Sequence, residues 1–488
     1  MVLTFIALLV LIVAGYIIKT IIKPKNFPPG PKWYPFVGSS NVVQSYVRKH
    51  GSQFKGFIEL GKEYSTSVLG VKLGHDLVVV TFGEKNARHV LTEKVFEGRP
   101  NNFFAKLRCL GQKKGITFSD GPLWKIHRQF TLTQLRNVGF GKTAMEREVQ
   151  NELLCILEFL RKSQNKVLSP NTFVSQAVMN VLWKYVAGEK IKEDRWKQMQ
   201  ELFMKRSKAF SMAGGLLNQM PWCRFFIPQI SGYSLITNLN RQISEIIEEA
   251  IEKHKNKEIE EKDFIYAFME EMADNKETFT EDQLKVVCLD LLIAGSQTTG
   301  NLLEFAFLQL LRNKNVQDKI CEEIDNVLGD DIPCWSDTLR LTYTSAFMVE
   351  VQRYHHIAPL GGPRRALHDT DIDGYFVPKD TTVLISLGDI HFNPELWDDP
   401  HVFKPERFID ERGALKNSEH LYPFGLGRRR CPGDSLAKSF IFIIFVGIMQ
   451  RYRLECPNGI VPSDEPIIGL IASPKPYKLE FVPRKFAL

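Results

Sequence analysis

One cysteine lies in a short loop rich in glycine and arginine, and this loop constrains the chain more than any other segment. Residues 424–433 read FGLGRRRCPG and contain Cys431, and the apolar run 439–449 follows them. The three neighbouring arginines and the N-terminus of the expected helix favour a thiolate over a thiol. Most buried cysteines only fill space in a core, but a lone thiolate is also a strong metal ligand. Cys431 is therefore a candidate ligand.

The composition favours one large domain and excludes several classes of protein. The chain has 488 residues, 44% of them hydrophobic, with no long linker and no short-period repeat. Its net charge of +7 is too diffuse for a nucleic-acid-binding surface, so we expect no nucleic acid partner. Such a charge suits an anionic membrane surface or an acidic protein partner. Eight cysteines without C-x-x-C or zinc spacing indicate a reducing, cytosol-facing compartment.

The N-terminus predicts a membrane anchor. Residues 2–18 are almost wholly apolar and uncharged, and extending the stretch to Ile22 makes it just long enough to span a bilayer, which takes about 17–25 residues. No basic residue precedes the stretch and no small-residue cleavage site follows, which favours an anchor over a cleaved signal peptide. Lysines after it predict a cytosolic body. The predicted division is an anchor at 1–22, a proline-rich linker at 23–34 and the catalytic domain at 35–488.

Helical periodicity dominates the rest of the chain. Apolar residues recur at helical spacing in 151–162, 237–255, 280–311, 315–328 and 339–354. Thr280 and Gln283 have the spacing of a capping box at the start of the third of these helices. Strand-like runs occur only near 68–80 and 382–386. We therefore predict an α+β fold that is mainly helical, with small β-sheets grouped apart.

The long helix predicted at 280–311 carries small and hydroxyl residues at its middle. Gly295 and Thr298 stand there although both are poor helix formers. One interpretation is a tight helix crossing at Gly295. The other is a local distortion above a ligand, with a hydroxyl freed from the helix. The residues alone leave both open.

Two more pairs and one aromatic segment have alternative interpretations. Trp124 and Arg128 lie at i and i+4, and Glu350 and Arg353 at i and i+3, so each pair shares a helix face. Pairs of this kind are usually surface contacts of little energetic value. Residues 220–228 read MPWCRFFIP and are either a core-packing loop or a segment that dips into a membrane surface.

Together these motifs resemble the cytochrome P450 family. The pattern F-x-x-G-x-R-x-C-x-G of its haem-binding loop matches at every fixed position, namely Phe424, Gly427, Arg429, Cys431 and Gly433. The family's W-x-x-x-R, A-G-x-[DE]-T-[TS], E-x-x-R and PERF motifs also occur, in the family's order. Details of the chain are most similar to the microsomal drug- and steroid-oxidising branch of animals, and within it to insect members. The resemblance implies the cytochrome P450 fold with an N-terminal anchor helix.

The resemblance also implies a cofactor and its ligands. Cys431 would bind the iron of haem b (iron protoporphyrin IX) through its thiolate. The residues implied to contact the haem are Trp124, Arg128, Ala294, Gly295, Arg364, Phe424, Arg429 and Gly433. Among them the arginines would hold the two propionates, and the register against the family favours Arg364 over Arg365. Glu350, Arg353 and Arg407 would form a buried brace behind the cysteine loop.

Two residues opposite the cysteine are implied to be catalytic. In the family Thr298 would hydrogen-bond dioxygen and help to deliver protons. Gln297 departs from the family pattern, which has an acidic residue there. An amide cannot shuttle a proton by ionising, although it can position a water. The oxygenase interpretation therefore stands, and the acid relay is in doubt.

The implied function is a monooxygenase that inserts one oxygen atom from O2 into a hydrophobic small molecule, by hydroxylation or epoxidation. Electrons would come from NADPH-cytochrome P450 reductase, with cytochrome b5 as a second candidate donor. The reductase would dock near Lys125, Arg428, Arg430 and Lys438. The site would face the cytosol from the endoplasmic reticulum membrane. The chain has no G-x-G-x-x-G motif after a strand, so we expect no nucleotide site.

The sequence leaves the identity of the substrate open. Its expected contacts are Phe103, Phe104, Ile116, Thr117, Ile293, Ala294, Ile357, Ala358, Leu360, Leu470 and Ile471, which are mostly apolar. The leading hypothesis is an endogenous terpenoid or hormone-like lipid, such as a juvenile hormone precursor. Alternatives are foreign compounds, or an aromatic amino acid converted to an oxime or nitrile. Two other classes are a haem-thiolate isomerase or dehydratase that needs no dioxygen, and a haem sensor or carrier.

Overall fold

The structure is a computed structural model of the chain. It describes residues 20–163, 166–209, 217, 220–259, 261–416 and 419–484, together with residues 4, 5, 8, 11, 15 and 18. The predicted anchor therefore lies mostly outside the described residues. Those of its residues that are described are helical except Ile22, and their apolar side chains are exposed.

Helices make up most of the described chain, as predicted. In chain order they are α1 Ser40–His50, α2 Gln53–Glu63, α3 Glu84–Thr92, α4 Phe103–Arg108, α5 Gly121–Asn137, α6 Thr143–Lys162, α7 Asn171–Ala187, α8 Glu193–Ala209, α9 Cys223–Phe226, α10 Tyr233–Lys255, α11 Phe264–Asp274, α12 Glu281–Arg312, α13 Lys314–Val327, α14 Thr342–Tyr354, α15 Leu387–His391 and α16 Asp434–Arg451. Short 3-10 turns include Pro405–Phe408 and Gly427–Arg429.

The strands form small sheets. They are β1 Val68–Leu73, β2 Asp76–Thr81, β3 Val167–Leu168, β4 Arg364–Arg365, β5 Thr370–Ile372, β6 Tyr375–Val377, β7 Thr382–Ile385, β8 Tyr452–Glu455, β9 Ile467–Ile468, β10 Ala472–Ser473 and β11 Leu479–Pro483. The largest sheet among the described residues has the order β1-β2-β7-β4, with β1 and β2 antiparallel and β2 and β7 parallel. This sheet positions Arg364 and Arg365, which pair with β7. The predicted fold class, mainly helical with small sheets, is confirmed.

The central element is α12, a helix of 32 residues that runs through the main core. Its cap is the predicted one, because the Thr280 hydroxyl accepts the N–H of Gln283 at 3.3 Å. The Gln283 side chain, however, does not close a capping box. It instead exchanges two hydrogen bonds with the backbone of Gly115, at 3.1 and 3.3 Å. The helix start is thereby tied to the loop that precedes α5.

Among the described residues, α12 is also the one helix long and apolar enough to cross a membrane, with a mean hydropathy of 1.3 in its most apolar window. Two thirds of that window (67%) is buried inside the protein, as expected for the core helix of a globular domain. Its length therefore does not indicate a membrane span. The other predicted helices are present with shifted ends, since α6 and α10 begin upstream of the expected residues and α14 begins after a 3-10 turn at Trp335–Leu339.

Candidate active site

The cysteine loop leads directly into α16. Its fold depends on backbone hydrogen bonding, since the N–H of Cys431 donates to the carbonyl of Phe424 at 2.9 Å. Gly427 has φ +67°, and a Cβ there would lie 2.5 Å from the carbonyl oxygen of Leu91, so no other residue fits without displacing α3. Cys431 is an exposed residue of this loop.

The electrostatics of Cys431 differ from the prediction. Burial raises the pKa of its thiol, and the N–H of Gly433 together with the charges of Arg128 and Arg430 only partly oppose that effect. The expectation that the loop arginines make the free cysteine a thiolate is therefore wrong. Two of the three arginines turn elsewhere, because Arg428 and Arg429 both bind Glu97, the former through its carboxylate and the latter through its carbonyl. Stabilising the thiolate requires a further positive partner.

Arg429 is buried beside the aromatic residue of α5. Its Nε donates to the carbonyl of Glu97 and one terminal nitrogen donates to the carbonyl of Ser119, both at 2.9 Å. The guanidinium lies 3.5 Å from the centroid of the Trp124 ring, a cation–π contact. Its other terminal nitrogen, Nη1, is buried without a hydrogen-bond partner, as is Nε1 of Trp124. Burial and then the charge of Arg364 lower the pKa of Arg429 to about 9.

The helix α5 brings the predicted W-x-x-x-R pair together. Arg128 lies 5.9 Å from the Trp124 ring and donates a hydrogen bond to the carbonyl of Arg430, immediately before the cysteine. It is therefore a direct bridge between α5 and the cysteine loop. Burial lowers the pKa of Arg128.

The structure separates the two arginines of β4. Arg365 donates to Asp120 at 2.7 Å and also to Asp380, so its charge is used within the protein. Arg364 is buried, and its side chain donates no hydrogen bond to any described part of the chain. Burial lowers the pKa of Arg364 to about 10. This geometry matches the register-based preference for Arg364 as the ligand-binding member.

A fourth cation, Arg99, belongs to the same cluster and was missed by the sequence analysis. It is buried, one of its terminal nitrogens donates to the carbonyl of Pro363, and its Nε is buried without a partner. Burial, followed by the charges of Arg364, Arg429 and Arg128, holds its pKa well below the usual range. Arg99 stands alone between Gly98 and Pro100, so no spacing motif pointed to it.

The helix α12 presents the predicted motif to an accessible space. Ala294 is exposed and Thr298 is half-buried, although the helix is mostly buried on either side. The helix is α-helical throughout, and the Thr298 hydroxyl donates to the carbonyl of Ala294 at 2.8 Å, so the predicted distortion with a freed hydroxyl is not present. Gln297 is half-buried and its side chain makes no hydrogen bond to the described residues.

Gly295 instead marks a tight helix crossing. A Cβ at this position would clash with Cδ2 of Leu182 on α7 and would lie 3.6 Å from the sulfur of Met179. Gly300, five residues further along α12, likewise faces Ser175 of α7, with Oγ 3.0 Å from a Cβ placed there. The packing interpretation of the glycine is therefore the one that the structure supports, because two helices approach closely there.

The predicted brace is present in full. Glu350 and Arg353 are fully buried and form two hydrogen bonds, at 2.7 and 2.8 Å. Arg407, from the turn Pro405–Phe408, donates to Glu350 at 3.1 Å. Arg353 also donates to the carbonyls of His391 and Pro400, both at 2.8 Å. The ion pair therefore joins α14 to the segment that precedes the cysteine loop.

The expected substrate contacts differ in how far their side chains are exposed. Thr117 and Ala294 are exposed within otherwise buried segments. The chain segments that hold Ile357 and Ile471 are neighbours, since the N–H of Ala472 donates to the carbonyl of Ile357 at 2.8 Å. Half-buried members are Phe103, Phe104, Ile293, Ala358 and Leu470, and Ile116 is buried.

Leu360 is an exception. It is buried in a separate cluster with Phe57, Val80 and Leu384, between the sheet and the first two helices. Its contact with substrate stays a prediction, and in the structure its side chain packs within this cluster.

Asp290 is a second residue that the sequence analysis missed. Its carboxylate accepts the N–H groups of Ile116 and Thr117, at 2.7 and 2.8 Å, and so holds the loop before α5 against α12. Burial raises its pKa to about 6. Asp290 is the one acidic residue in the apolar stretch 284–303, which is a signal that the sequence did contain.

Comparison with known proteins identifies the family. The model of the cytochrome P450 family matches residues 28–481. The chain belongs to the cytochrome P450 family. Among its relatives, a probable cytochrome P450 305a1 of Drosophila melanogaster is 40% identical, covering 97% of this chain and 98% of the relative. Farnesoate epoxidase of Bombyx mori is 36% identical, covering 96% of each chain. Cytochrome P450 2B15 of Rattus norvegicus is 32% identical, covering 94% of each.

These relatives confirm the predicted family and include the insect members that the sequence resembled. This cytochrome P450 is a monooxygenase, and as a member of the family it binds haem through a cysteine thiolate. Among its described residues, no group of three or more histidine, cysteine or acidic side chains could hold a metal ion.

The cation cluster fits the same cofactor. Nε of Arg99, Nε1 of Trp124 and Nη1 of Arg429 are buried donors that the protein leaves unsatisfied, and such groups are rare in folded proteins. Arginine matches carboxylates through fork-like, permanently charged donors. The two propionates of haem would supply acceptors and negative charge on the side of the cysteine where these cations converge.

Proposed function

We propose that Cys431 is the residue that would bind the haem iron and that the chain oxidises a hydrophobic small molecule by inserting one oxygen atom from O2. The observation that carries the proposal is the accessible sulfur of Cys431 beside the buried cation cluster. The bound iron supplies the activation of dioxygen, and a thiolate ligand favours cleavage of the O–O bond. The N–H of Gly433 and the charge of Arg128 would stabilise negative charge on the sulfur once the metal is bound.

The cations would orient the cofactor. Trp124, Arg128, Arg364 and Arg429 would hold the propionates, with Arg99 as an additional donor. Because burial lowers the pKa of Arg364 to about 10 and of Arg429 to about 9, the cluster is destabilised until anions arrive. Haem binding should therefore contribute to folding stability. Phe424 and Gly433 would flank the iron ligand, and Ala294 would cover the opposite side, whereas Gly295 packs against α7.

Residues of α12 would deliver the protons that the reaction consumes. The Thr298 hydroxyl now donates to the carbonyl of Ala294, and rotation about one bond would let it donate toward the accessible side instead. Gln297 would position a water through its amide without ionising. Asp290, whose pKa is near 6, is committed to two backbone N–H groups and is assigned to positioning the loop rather than to proton delivery.

The substrate class that we propose is an endogenous terpenoid or hormone-like lipid, such as a juvenile hormone precursor. Support comes from the apolar contacts around Ala294 and from the similarity to farnesoate epoxidase. Foreign compounds remain an alternative, since the same apolar walls would accept them. Oxidation of an aromatic amino acid to an oxime is less favoured, because the accessible contacts include no paired carboxylate and ammonium. An isomerase or dehydratase would have no need of Thr298.

Localisation and partners extend the proposal. We propose an anchor at residues 1–22 in the endoplasmic reticulum membrane, with the body facing the cytosol. Trp222, Phe225 and Phe226 support a second membrane contact, because all three side chains are exposed, by 57%, 69% and 77%. The core-packing interpretation of the segment 220–228 therefore does not hold for these rings.

The proposed electron donor is NADPH-cytochrome P450 reductase, with cytochrome b5 as a second candidate. Basic residues surround the cysteine loop, and Lys125 and Arg430 are exposed there. Arg428 pairs with Glu97 at 3.3 Å and Arg430 pairs with Asp434, so part of the charge is locally compensated. Lys438 lies 5.3 Å from the Phe424 ring. Reversing Lys125 to Glu should slow reductase-supported turnover, and unchanged turnover would contradict this docking site.

The ligand assignment is tested by absorption spectroscopy of the reduced, CO-bound protein. We expect the red-shifted Soret band of a thiolate-ligated haem in the wild-type chain and its absence in Cys431→Ser. A Cys155→Ser variant is the matched control, since Cys155 is an exposed cysteine on α6. A wild-type spectrum without the band would refute every haem-thiolate version of the proposal.

The reaction class is tested by product formation in membranes that contain reductase. A monooxygenase requires NADPH and O2 and incorporates oxygen from labelled O2 into the product. Product formed without either reactant would favour the isomerase or dehydratase. Untargeted profiling with terpenoid acids, foreign compounds and aromatic amino acids in parallel would then separate the substrate classes.

A further inference from the structure

The cysteine loop and the residues just before it are held on α3 and on the connection that follows α3. Within the loop, Gly427 approaches the carbonyl of Leu91 so closely that a Cβ would lie 2.5 Å away. Arg428 and Arg429 bind Glu97, five residues beyond the last residue of α3. The segment just before the loop is held on α3 by side chains that none of the family's motifs includes.

Where this segment lies on α3, three side chains donate hydrogen bonds to one carboxylate, that of Glu84. Glu84, in the first turn of α3, accepts hydrogen bonds from the Tyr422 hydroxyl and from Nδ1 of His420, the latter at 2.6 Å. Arg88, one turn along α3, pairs with Glu84 at 3.4 Å and donates to the Tyr422 hydroxyl at 2.8 Å. The first turn of a helix is also where its dipole favours a negative charge. Four side chains from two distant parts of the chain thus form one network.

The network is more than a surface ion pair. Tyr422 is buried, with 4% of its surface exposed, and burial followed by its contact with Glu84 raises its pKa to about 12. Burial alone would raise the pKa of Glu84, but the hydrogen bonds from Tyr422 and His420 outweigh that effect and lower it. A buried phenol on a carboxylate is a charge-assisted hydrogen bond, which is stronger than a neutral one. The side chain of Tyr422 is therefore held in one position.

Backbone hydrogen bonds extend this constraint to the sulfur. The carbonyl of Tyr422 accepts the N–H of Gly425 at 3.0 Å, and the carbonyl of Phe424 accepts the N–H of Cys431 at 2.9 Å. Tyr422 thus lies two residues before Phe424, whose carbonyl positions the cysteine. The His420 ring also contacts Trp397, at 6.3 Å between centroids in a T-shaped arrangement, so the network reaches the segment held by the buried brace.

We propose that Glu84 and Tyr422 are positioning residues for Cys431. By holding the segment just before the loop on α3, they keep the sulfur in the orientation in which it would bind the iron, and they limit the motion by which it could detach. The inference rests on the proposed role of Cys431 as the haem ligand. Neither residue touches the cation cluster or the face of α12 assigned to the reaction.

The test measures how firmly the thiolate stays bound. The reduced, CO-bound forms of wild type, Tyr422→Phe, Glu84→Gln and the double variant are held at a fixed, mildly denaturing urea concentration, and loss of the thiolate Soret band is followed in time. Tyr422→Phe should lose the band about tenfold faster, the factor that corresponds to one charge-assisted hydrogen bond. The effect of the double variant should be smaller than the product of the two single effects, because both changes disrupt the hydrogen bond between the Tyr422 hydroxyl and the Glu84 carboxylate.

Glu93→Gln is the matched control. It makes the same change of charge at the end of α3, and Glu93 is exposed and makes no side-chain hydrogen bond to the described residues. Its decay should equal that of wild type. Decay rates of Tyr422→Phe and Glu84→Gln that match Glu93→Gln would overturn the inference. A wild-type chain that never shows the band refutes the role of Cys431 instead, so the two failures are distinguishable.

Two further measurements, the melting temperature and the reduction potential of the haem, distinguish a loss of positioning from a general loss of stability. A changed potential or a faster decay at an unchanged melting temperature supports positioning. A lowered melting temperature with unchanged potential and unchanged decay would show that the network only stabilises the fold, and would overturn the inference. Tyr422→Phe loses a single hydroxyl, so it is the variant least expected to prevent folding.

Discussion

At the scale of single residues, three buried side chains of the cation cluster keep hydrogen-bond donors that the protein itself does not satisfy. Arg99 and Arg429 each keep one buried nitrogen without a partner, and Trp124 keeps its ring N–H unsatisfied. An unmet buried donor costs on the order of 1–3 kcal/mol. A bound anion would remove these costs, and the three donors lie together with Arg364 and Arg128, which supports an anionic ligand at this place.

Arg99→Met should weaken haem binding. Removing one charge-assisted partner of a propionate should lower haem affinity about tenfold, while the apoprotein loses a buried charge and gains stability. Haem content is measured after competition with apomyoglobin, with Lys94→Met as the control because Lys94 is exposed in the same connection. Equal haem retention in the two variants would exclude Arg99 from the propionate site.

The Gln297 amide should affect how much of the consumed NADPH leads to product. Gln297→Ala should lower the fraction of NADPH that ends in product severalfold, because no side chain then positions a water, whereas Gln297→Glu retains a hydrogen-bonding group. Product and hydrogen peroxide are measured per NADPH consumed, at equal haem content. Unchanged coupling in Gln297→Ala would remove this residue from proton delivery, and unchanged coupling in Gln297→Glu would show that an acid is dispensable here.

At the scale of elements, the helices are joined to the cysteine loop by polar side chains rather than by apolar packing alone. The pair of Glu350 and Arg353 connects α14 with the segment 391–407, and Asp290 connects α12 with the loop that carries Thr117. Directional bonds of this kind determine where a loop lies, which apolar burial cannot do because it is non-directional.

Arg353→Ala should abolish haem incorporation. The substitution leaves Glu350 buried with only Arg407 to compensate it, which costs about 3–5 kcal/mol and releases the carbonyls of His391 and Pro400. The measurement is the ratio of haem to protein after purification, with exposed Arg412→Ala as the control. A normal ratio in Arg353→Ala would show that the brace is not required for the cysteine loop to form.

For the molecule as a whole, buried carboxyls make stability depend on pH. Glu304, on α12, is buried with one hydrogen bond from Asn171 at 2.8 Å, and burial raises its pKa from 4.5 to about 7. Its folded-state pKa lies above the unfolded one, so the stability it contributes is present below pH 4.5 and is lost as the pH rises through 7. The difference corresponds to about 3 kcal/mol.

Glu304→Gln should therefore flatten the pH profile. The amide keeps an acceptor for Asn171 and cannot ionise, so the melting temperature of the variant relative to wild type should rise between pH 5 and pH 7.5. Thermal unfolding of both proteins at several pH values measures this difference. A constant difference across the range would mean that Glu304 does not change protonation within it.

The ligand loop, the W-x-x-x-R and E-x-x-R pairs and the helical class could be predicted from sequence, because each depends on residues that are close in the chain. A spacing of three or four residues places side chains on one helix face whatever the rest of the molecule does. The motifs shared with the cytochrome P450 family then implied the cofactor, which the residues by themselves left open.

Arg99, Asp290 and the network of Glu84 with Tyr422 needed the folded structure. Each depends on a contact between segments far apart in the chain, and local spacing carries no information about such contacts. The pKa of Cys431 was mispredicted for the same reason, because folding turned Arg428 and Arg429 toward Glu97 and removed water from part of the thiol's surroundings. The chemistry of this protein is thus readable from short motifs, whereas the charge and position of its reactive groups depend on which distant segments pack around them.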